Sequence, residues 1–188
     1  MILNLLVGIG LSTAAGLRVF TPFLTISIAS YYGVIVPPES LEWLATNQAV
    51  IVLSVATISE LIAYEVPWFN NLLNLISIPF ATIAGIIITA SFLTDASPLQ
   101  QWSLSIIAGG GTALTADLFS NTAHVALTAT SGGTANPIFS LIESALTIAI
   151  SVVAIIAITV PVALILVPIL FKLIKWVGDF FHPSQNIN

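Results

Sequence analysis

Long apolar runs, separated by short polar punctuation, dominate the pattern of this chain. The first run covers residues 2–32. As a single helix it would be about 46 Å long, well beyond a hydrocarbon core of about 30 Å. It contains Gly8, Gly10, Gly16 and Pro22, so the pattern predicts either a strongly tilted, kinked helix or two half-helices. A polar stretch with Glu39 and Glu42 follows at 37–47. The second run, 49–64, is closed by Glu65-Val66-Pro67-Trp68, and the third spans 72–93 with Pro79 near its start. Residues 94–101 form a polar turn. The fourth run, 102–130, is again too long for one crossing and opens on Gly109-Gly110-Gly111. A Gly-rich loop at 131–137 leads to a fifth run, 138–159. Val160-Pro161 predicts a tight break before a sixth run, 162–176, because proline removes a helical donor and disfavours helix just before it. A polar tail, 178–188, ends the chain.

These runs predict an all-α, polytopic helical membrane protein with about six transmembrane segments. The chain divides into a first membrane half, 1–98, a second, 99–177, and the tail, 178–188. Each half opens on an overlong, small-residue-rich stretch, continues with a segment bearing one acid (Glu60, Glu143) and ends on an apolar one. Three crossings per half would make the two an inverted repeat with broken first and fourth segments, the arrangement that marks many transporter sites. Close packing of helices through Gly, Ala, Ser and Thr explains the same small residues without any site.

Composition sharpens this reading. Of 188 residues, 57% are hydrophobic and only 6% charged, against about 25% charged in an ordinary soluble domain. Arg18, Lys172 and Lys175 are the whole basic inventory, so nothing could neutralise a run of phosphates, and nucleic-acid binding is excluded. The chain has no cysteine, which excludes disulfide and thiolate chemistry. Its N-terminus lacks a basic leader region and a clear cleavage site and reads as a retained segment. Lys172 and Lys175 place the C-terminus in the cytoplasm, and Trp43, Trp68, Trp102 and Trp176 sit near segment ends, where an indole anchors at the interface. The expected location is a bacterial inner membrane.

Five ionisable residues fall inside apolar runs: Arg18, Glu60, Asp117, His124 and Glu143. A charge at bilayer depth costs about 2.5–3.5 kcal/mol on insertion scales, so each needs a partner, water or a proton. One arginine cannot neutralise three acids, which leaves a carboxyl group to carry a proton or bind a cation. A structural Arg–Glu clasp is the plainer alternative. His124, seven residues after Asp117, shares its helix face and could relay a proton or join it on a metal, or simply pack. No strong metal motif is present, and no metal or other cofactor is expected. Ser140 and Glu143 have capping-box spacing, which predicts a helix start there, and Asn70, Asn71 and Asn74 read most simply as caps.

Gly10-Leu11-Ser12, then Gly16-Leu17-Arg18-Val19-Phe20 and Pro22, resemble the opening of a bacterial membrane family known only as a domain of unknown function. Glu60 with Val66-Pro67 and Asn71-Leu72-Leu73 is similar to its next block, and Asn136, Ser140 and Glu143 to its later Ser-x-x-Glu element. The resemblance covers most of the chain and implies a small multi-pass membrane protein with no assigned activity. The chain departs from it at Tyr64 and Glu65, where the family tends to have Asp and Lys, and in its fourth run, where His124 is nearest to the family's basic residue.

The leading functional expectation is a small secondary transporter or channel for a solute or ion, proton- or cation-coupled, with a midplane site built from Glu60, Glu143, Arg18, Asp117 and His124. Its partners would be the lipid bilayer, the solute and, to enclose a path, a second copy in a homodimer. The alternatives are a non-transporting membrane scaffold or assembly factor, and an intramembrane enzyme acting on lipid, which lacks a recognisable nucleophile arrangement.

Overall fold

The computed structural model describes residues 1–65 and 67–181; the side chains of 65–75, 160–171 and 173–181 lie outside the described set. Every element among the described residues is helical. Helix α1 is Ile2–Leu17 and α2 is Phe20–Tyr31. The first apolar run is therefore two helices, and Pro22 explains where it breaks. A proline has no N–H for the carbonyl four residues back, and its ring crowds that carbonyl. Four back from Pro22 is Arg18, which leaves the helix in an extended conformation, φ −147° and ψ 116°. Pro22 itself sits in the first turn of α2, where a missing donor costs nothing.

A 3-10 helix, Glu39–Ala45, leads to α3, Asn47–Glu65, whose start is capped by Thr46 Oγ1 accepting from the Ala49 N–H at 3.2 Å. Helix α4, Pro67–Phe92, begins on a proline at its first position and continues through Pro79. The fourth run is not broken. It forms α5, Pro98–Leu104, a π-helical turn, Ser105–Gly110, and α6, Gly111–Ser131, in unbroken succession. With no proline inside, the π turn absorbs the irregularity. The two halves thus do not share the broken opening expected of them. Gly132 and Gly133, at φ 62° and 87°, make the turn into α7, Asn136–Phe181. The expected break at Val160-Pro161 falls within the helical backbone of α7, so the fifth and sixth runs continue as one helix. A proline inside an apolar helix costs one hydrogen bond and need not end it. Ser140 is likewise no cap, since α7 starts four residues earlier.

Contacts between elements fix their directions. Ser12 donates to the Gly85 carbonyl at 2.8 Å, and the amino terminus approaches Asp95 at 3.9 Å, so α1 runs antiparallel to α4. Phe20 lies at the level of Glu60 and Ser27 at the level of Leu44, so α2 runs antiparallel to α3. Helices α3 and α4 line one cavity, with Ala56, Glu60 and Ala63 from the first and Ile76 and Phe80 from the second.

The surface is apolar and the interior holds polar groups. Ile51, Val52, Val55, Ile58 and Ile62 of α3 are exposed, as are Leu141, Ile142, Val152 and Val153 of α7. Meanwhile Arg18, Asp117, His124 and Glu143 are each less than 5% exposed. Among the described residues, two helical spans, 47–64 and 136–159, are long and apolar enough to cross a membrane, and in their apolar 18-residue stretches only 17% and 28% are buried within the protein. A core helix of a soluble protein would be largely covered, so these apolar faces require another cover. Exposed hydroxyls are satisfied within their own helix: Thr115 donates to Gly111 and Thr122 to Leu118, both at 2.7 Å, and Thr130 to Ala126 at 2.9 Å. That economy suits an apolar solvent. Lys172 is exposed; the Lys175 side chain and residues 182–188 lie outside the described set.

Candidate functional site

Arg18 is the largest fully buried side chain among the described residues, at 1% exposure. The break places it where four helices meet. Its Nη2 donates to Ser140 Oγ at 2.6 Å and to the Ser140 carbonyl at 3.3 Å, and lies 3.5 Å from Glu143 Oε2. The guanidinium carbon stands 3.9 Å above the centre of the Tyr64 ring, a cation–π stack contributed by α3. Glu143 uses both oxygens: Oε1 accepts from the Ser120 hydroxyl, and Oε2 lies 3.0 Å from His124 Nε2. A carboxylate partner fixes Nε2 as the protonated nitrogen. The His124 ring stacks on Tyr64 at 6.3 Å and meets Phe139 edge-on at 5.0 Å.

Glu60 belongs to a second, adjoining arrangement. Its Oε1 accepts from the Val19 N–H at 2.8 Å and its Oε2 from the Phe20 N–H at 3.2 Å. Those are orphan donors created by the break, and the positive end of the α2 dipole adds to the attraction. Asp117 is held separately, accepting from the Asn121 amide at 3.0 Å, with Asn121 also near Ser77 at 3.4 Å. The five sequence-derived candidates thus divide three ways. Arg18 and His124 both meet Glu143, Glu60 caps the next helix beside Arg18, and Asp117, about two helical turns before His124 on α6, bonds Asn121. Among the described residues, no group of three His, Asp or Glu is placed to hold a metal.

Glu60 also forms part of the wall of a cavity of about 440 Å³ between α3 and α4. Small Ala56 and Ala63 on α3 leave the space, and Phe20, Ile76 and Phe80 form its apolar sides. Ser120, Ser140, Tyr64 and Phe139 are the site residues that sequence reasoning missed. The signal for the two serines was spacing: Ser120 lies four residues before His124 and Ser140 three before Glu143, each on the same helix face as its partner. Ser140→Ala should cost about 1.5–3 kcal/mol, the range for a hydrogen bond to a charged group. Equilibrium unfolding in a lipid mimetic checks this; a loss of a few tenths would mean that the Ser140 carbonyl and Glu143 suffice for Arg18.

The profile of one family, described as Domain of unknown function (DUF4126), matches residues 5–178. Comparison with curated proteins and with solved structures gives no match.

Proposed function

The chain belongs to that family of unknown function, and from its site we propose that it is a multi-pass membrane protein that moves a small solute or ion, with Glu60 as the binding carboxylate. The observation that carries this reading is the double position of Glu60, seated on the start of a discontinuous helix and facing a cavity. Half-helix ends at the junction of packed helices are where transporters bind ions and charged solutes. A proton arriving at Glu60 weakens the hold of its oxygens on the Val19 and Phe20 N–H groups. Releasing them frees the start of α2, and the movement reaches the Arg18–Glu143–His124 cluster through one peptide bond. Glu143 supplies the charge that keeps Arg18 in place. Glu60 lies five residues from the end of α3 and His124 seven from the end of α6, which sets the site about 8–10 Å from one end of the bundle, within about 5–7 Å of the middle of a core about 30 Å thick. We place both chain ends on the opposite side, in the cytoplasm of a bacterial inner membrane.

The test is solute-driven charge or proton movement in proteoliposomes across a panel of cations, anions and small metabolites. Glu60→Gln should reduce flux at least about tenfold, the loss that follows from removing one charged hydrogen-bonding group, while the protein stays folded. A second reading, a non-transporting scaffold, draws on the saturation of Glu143, all of whose contacts are with protein donors. Silence across the panel in folded protein would favour it.

A further inference from the structure

We propose that the cavity between α3 and α4 is a binding site for lipophilic primary amines, entered sideways from the bilayer; this rests on the transport reading and names its solute class. Three observations meet there. The first is shape and access. The cavity, about 440 Å³, falls in the usual range of small-molecule sites, about 300–1,000 Å³. Phe20, Ile76 and Phe80 on its rim are 40%, 41% and 62% exposed and continue the apolar outer face of α3. A ligand crossing this rim never leaves an apolar medium, which selects for a hydrocarbon tail.

The second observation is charge. Among the described residues, Glu60 is the only carboxyl that lines the cavity, and no basic residue lines it. An anionic head group would meet the Glu60 carboxylate, with the Arg18 charge set behind the wall and not in the lining. The Nη2 of Arg18 is taken by Ser140 and Glu143 and the guanidinium lies on the face of Tyr64, while its buried Nε and Nη1 have no hydrogen-bond partner among the described residues; Arg18 is not among the lining residues. A cation is the complementary ligand, and in a low-dielectric wall the discrimination is strong.

The third observation is hydrogen-bonding capacity. Each oxygen of Glu60 accepts one backbone N–H, yet an ionised carboxylate offers about four lone-pair sites. The remaining ones can accept from an ammonium group without breaking the cap on α2. Ser59 also lines the cavity, and a hydroxyl oxygen can accept from a further ammonium proton. A primary ammonium has three donors on a compact head, whereas a quaternary one has none to give.

The experiment uses radiolabelled decylamine and the full-length protein in nanodiscs, read by scintillation proximity with empty nanodiscs subtracted. Saturable binding is expected, displaced by unlabelled octylamine and not by decanol or decanoate. Glu60→Gln, which keeps a carbonyl oxygen for the Val19 N–H, should weaken it about ten- to hundredfold. Ala56→Phe, which fills the cavity and leaves Glu60 in place, should abolish it. Equal displacement by decanol or decanoate, or unchanged binding in Glu60→Gln, overturns the proposal, because the cavity is then only an apolar dent. Glu60-dependent ion flux without amine binding overturns this inference and leaves the transport reading standing. Amine binding in a protein that moves no solute supports the site and removes the transport reading.

Discussion

Replacing Arg18 by leucine should lower the stability of the fold by about 3–5 kcal/mol, the cost of stranding one member of a buried ion pair. Glu143 sits 3.5 Å from Arg18 and is 3% exposed. Without the arginine its charge keeps only the Ser120 hydroxyl and His124 as donors, and it must take up a proton or draw in water. Glu143→Leu should cost a similar amount, because it leaves the guanidinium with Ser140 and the Tyr64 ring. The double variant, Arg18→Leu with Glu143→Leu, should be less damaging than the sum of the two. Removing both charges also removes their desolvation cost, and a coupling of about 0.5–3 kcal/mol is the usual size for contacting residues. Arg18→Lys is no conservative change here. An ammonium cannot present the flat face that lies on Tyr64. Equilibrium unfolding of all four proteins in the same lipid mimetic decides the matter. Additive losses would mean that Arg18 and Glu143 are neighbours without being partners.

The ionisable members of this cluster were legible in the chain because a charge inside an apolar run is expensive and so stands out. Which acid meets the arginine was not legible. The choice among Glu60, Asp117 and Glu143 depends on how helices far apart in sequence pack, and Ser140, the arginine's closest partner, is 122 positions away. Glu60 eluded the ion-pair reasoning for another reason: its partners are backbone N–H groups, which carry no letter in the sequence. Yet Pro22 held the clue. A proline at that position spoils the carbonyl of Arg18, so the place where donors would be released could have been set from the chain alone.

The same rule misled at the other end. Pro161 carries the same penalty as Pro22, but α7 continues through it. The difference lies in what the break offers. At Arg18 an interrupted helix gains a carboxylate for its free donors and a guanidinium contact for its side chain. The overlong fourth run was legible in length and misjudged in form. Its glycines pointed to an interruption, whereas Gly109 and Gly110 are there because neighbouring helices press against them.

That pressure leads to the second large effect. Gly16 of α1, Gly85 of α4 and Gly109 of the π turn meet where three helices cross. A Cβ on Gly85 would lie 2.6 Å from the Ala113 Cβ and 2.6 Å from the Gly109 carbonyl oxygen. A Cβ on Gly16 would collide with the Ala113 backbone carbonyl, and one on Gly109 with Thr89 and the Gly85 carbonyl. Backbone cannot rotate aside as a side chain does, so the helices themselves must separate. Such overpacking costs about 1–3 kcal/mol and occasionally more. Gly85→Val should lie at or above the top of that range, since it also separates α4 from the Ser12 hydroxyl that bonds the Gly85 carbonyl at 2.8 Å and Thr89 at 2.9 Å. Gly16→Val should act further, because Gly16 stands two residues before Arg18 and any shift of α1 withdraws the guanidinium from Ser140. Gly111 gives the opposite sign. It adjoins Gly110 in the helix, but a Cβ there meets nothing within 4 Å, so Gly111→Ala should stabilise by up to about 1 kcal/mol through helix propensity alone. Opposite signs at two glycines of one sequence cluster would show that packing, and not flexibility, sets their role. If Gly85→Val and Gly111→Ala both left stability unchanged, the three-helix crossing would not be the rigid frame that holds Arg18 in place.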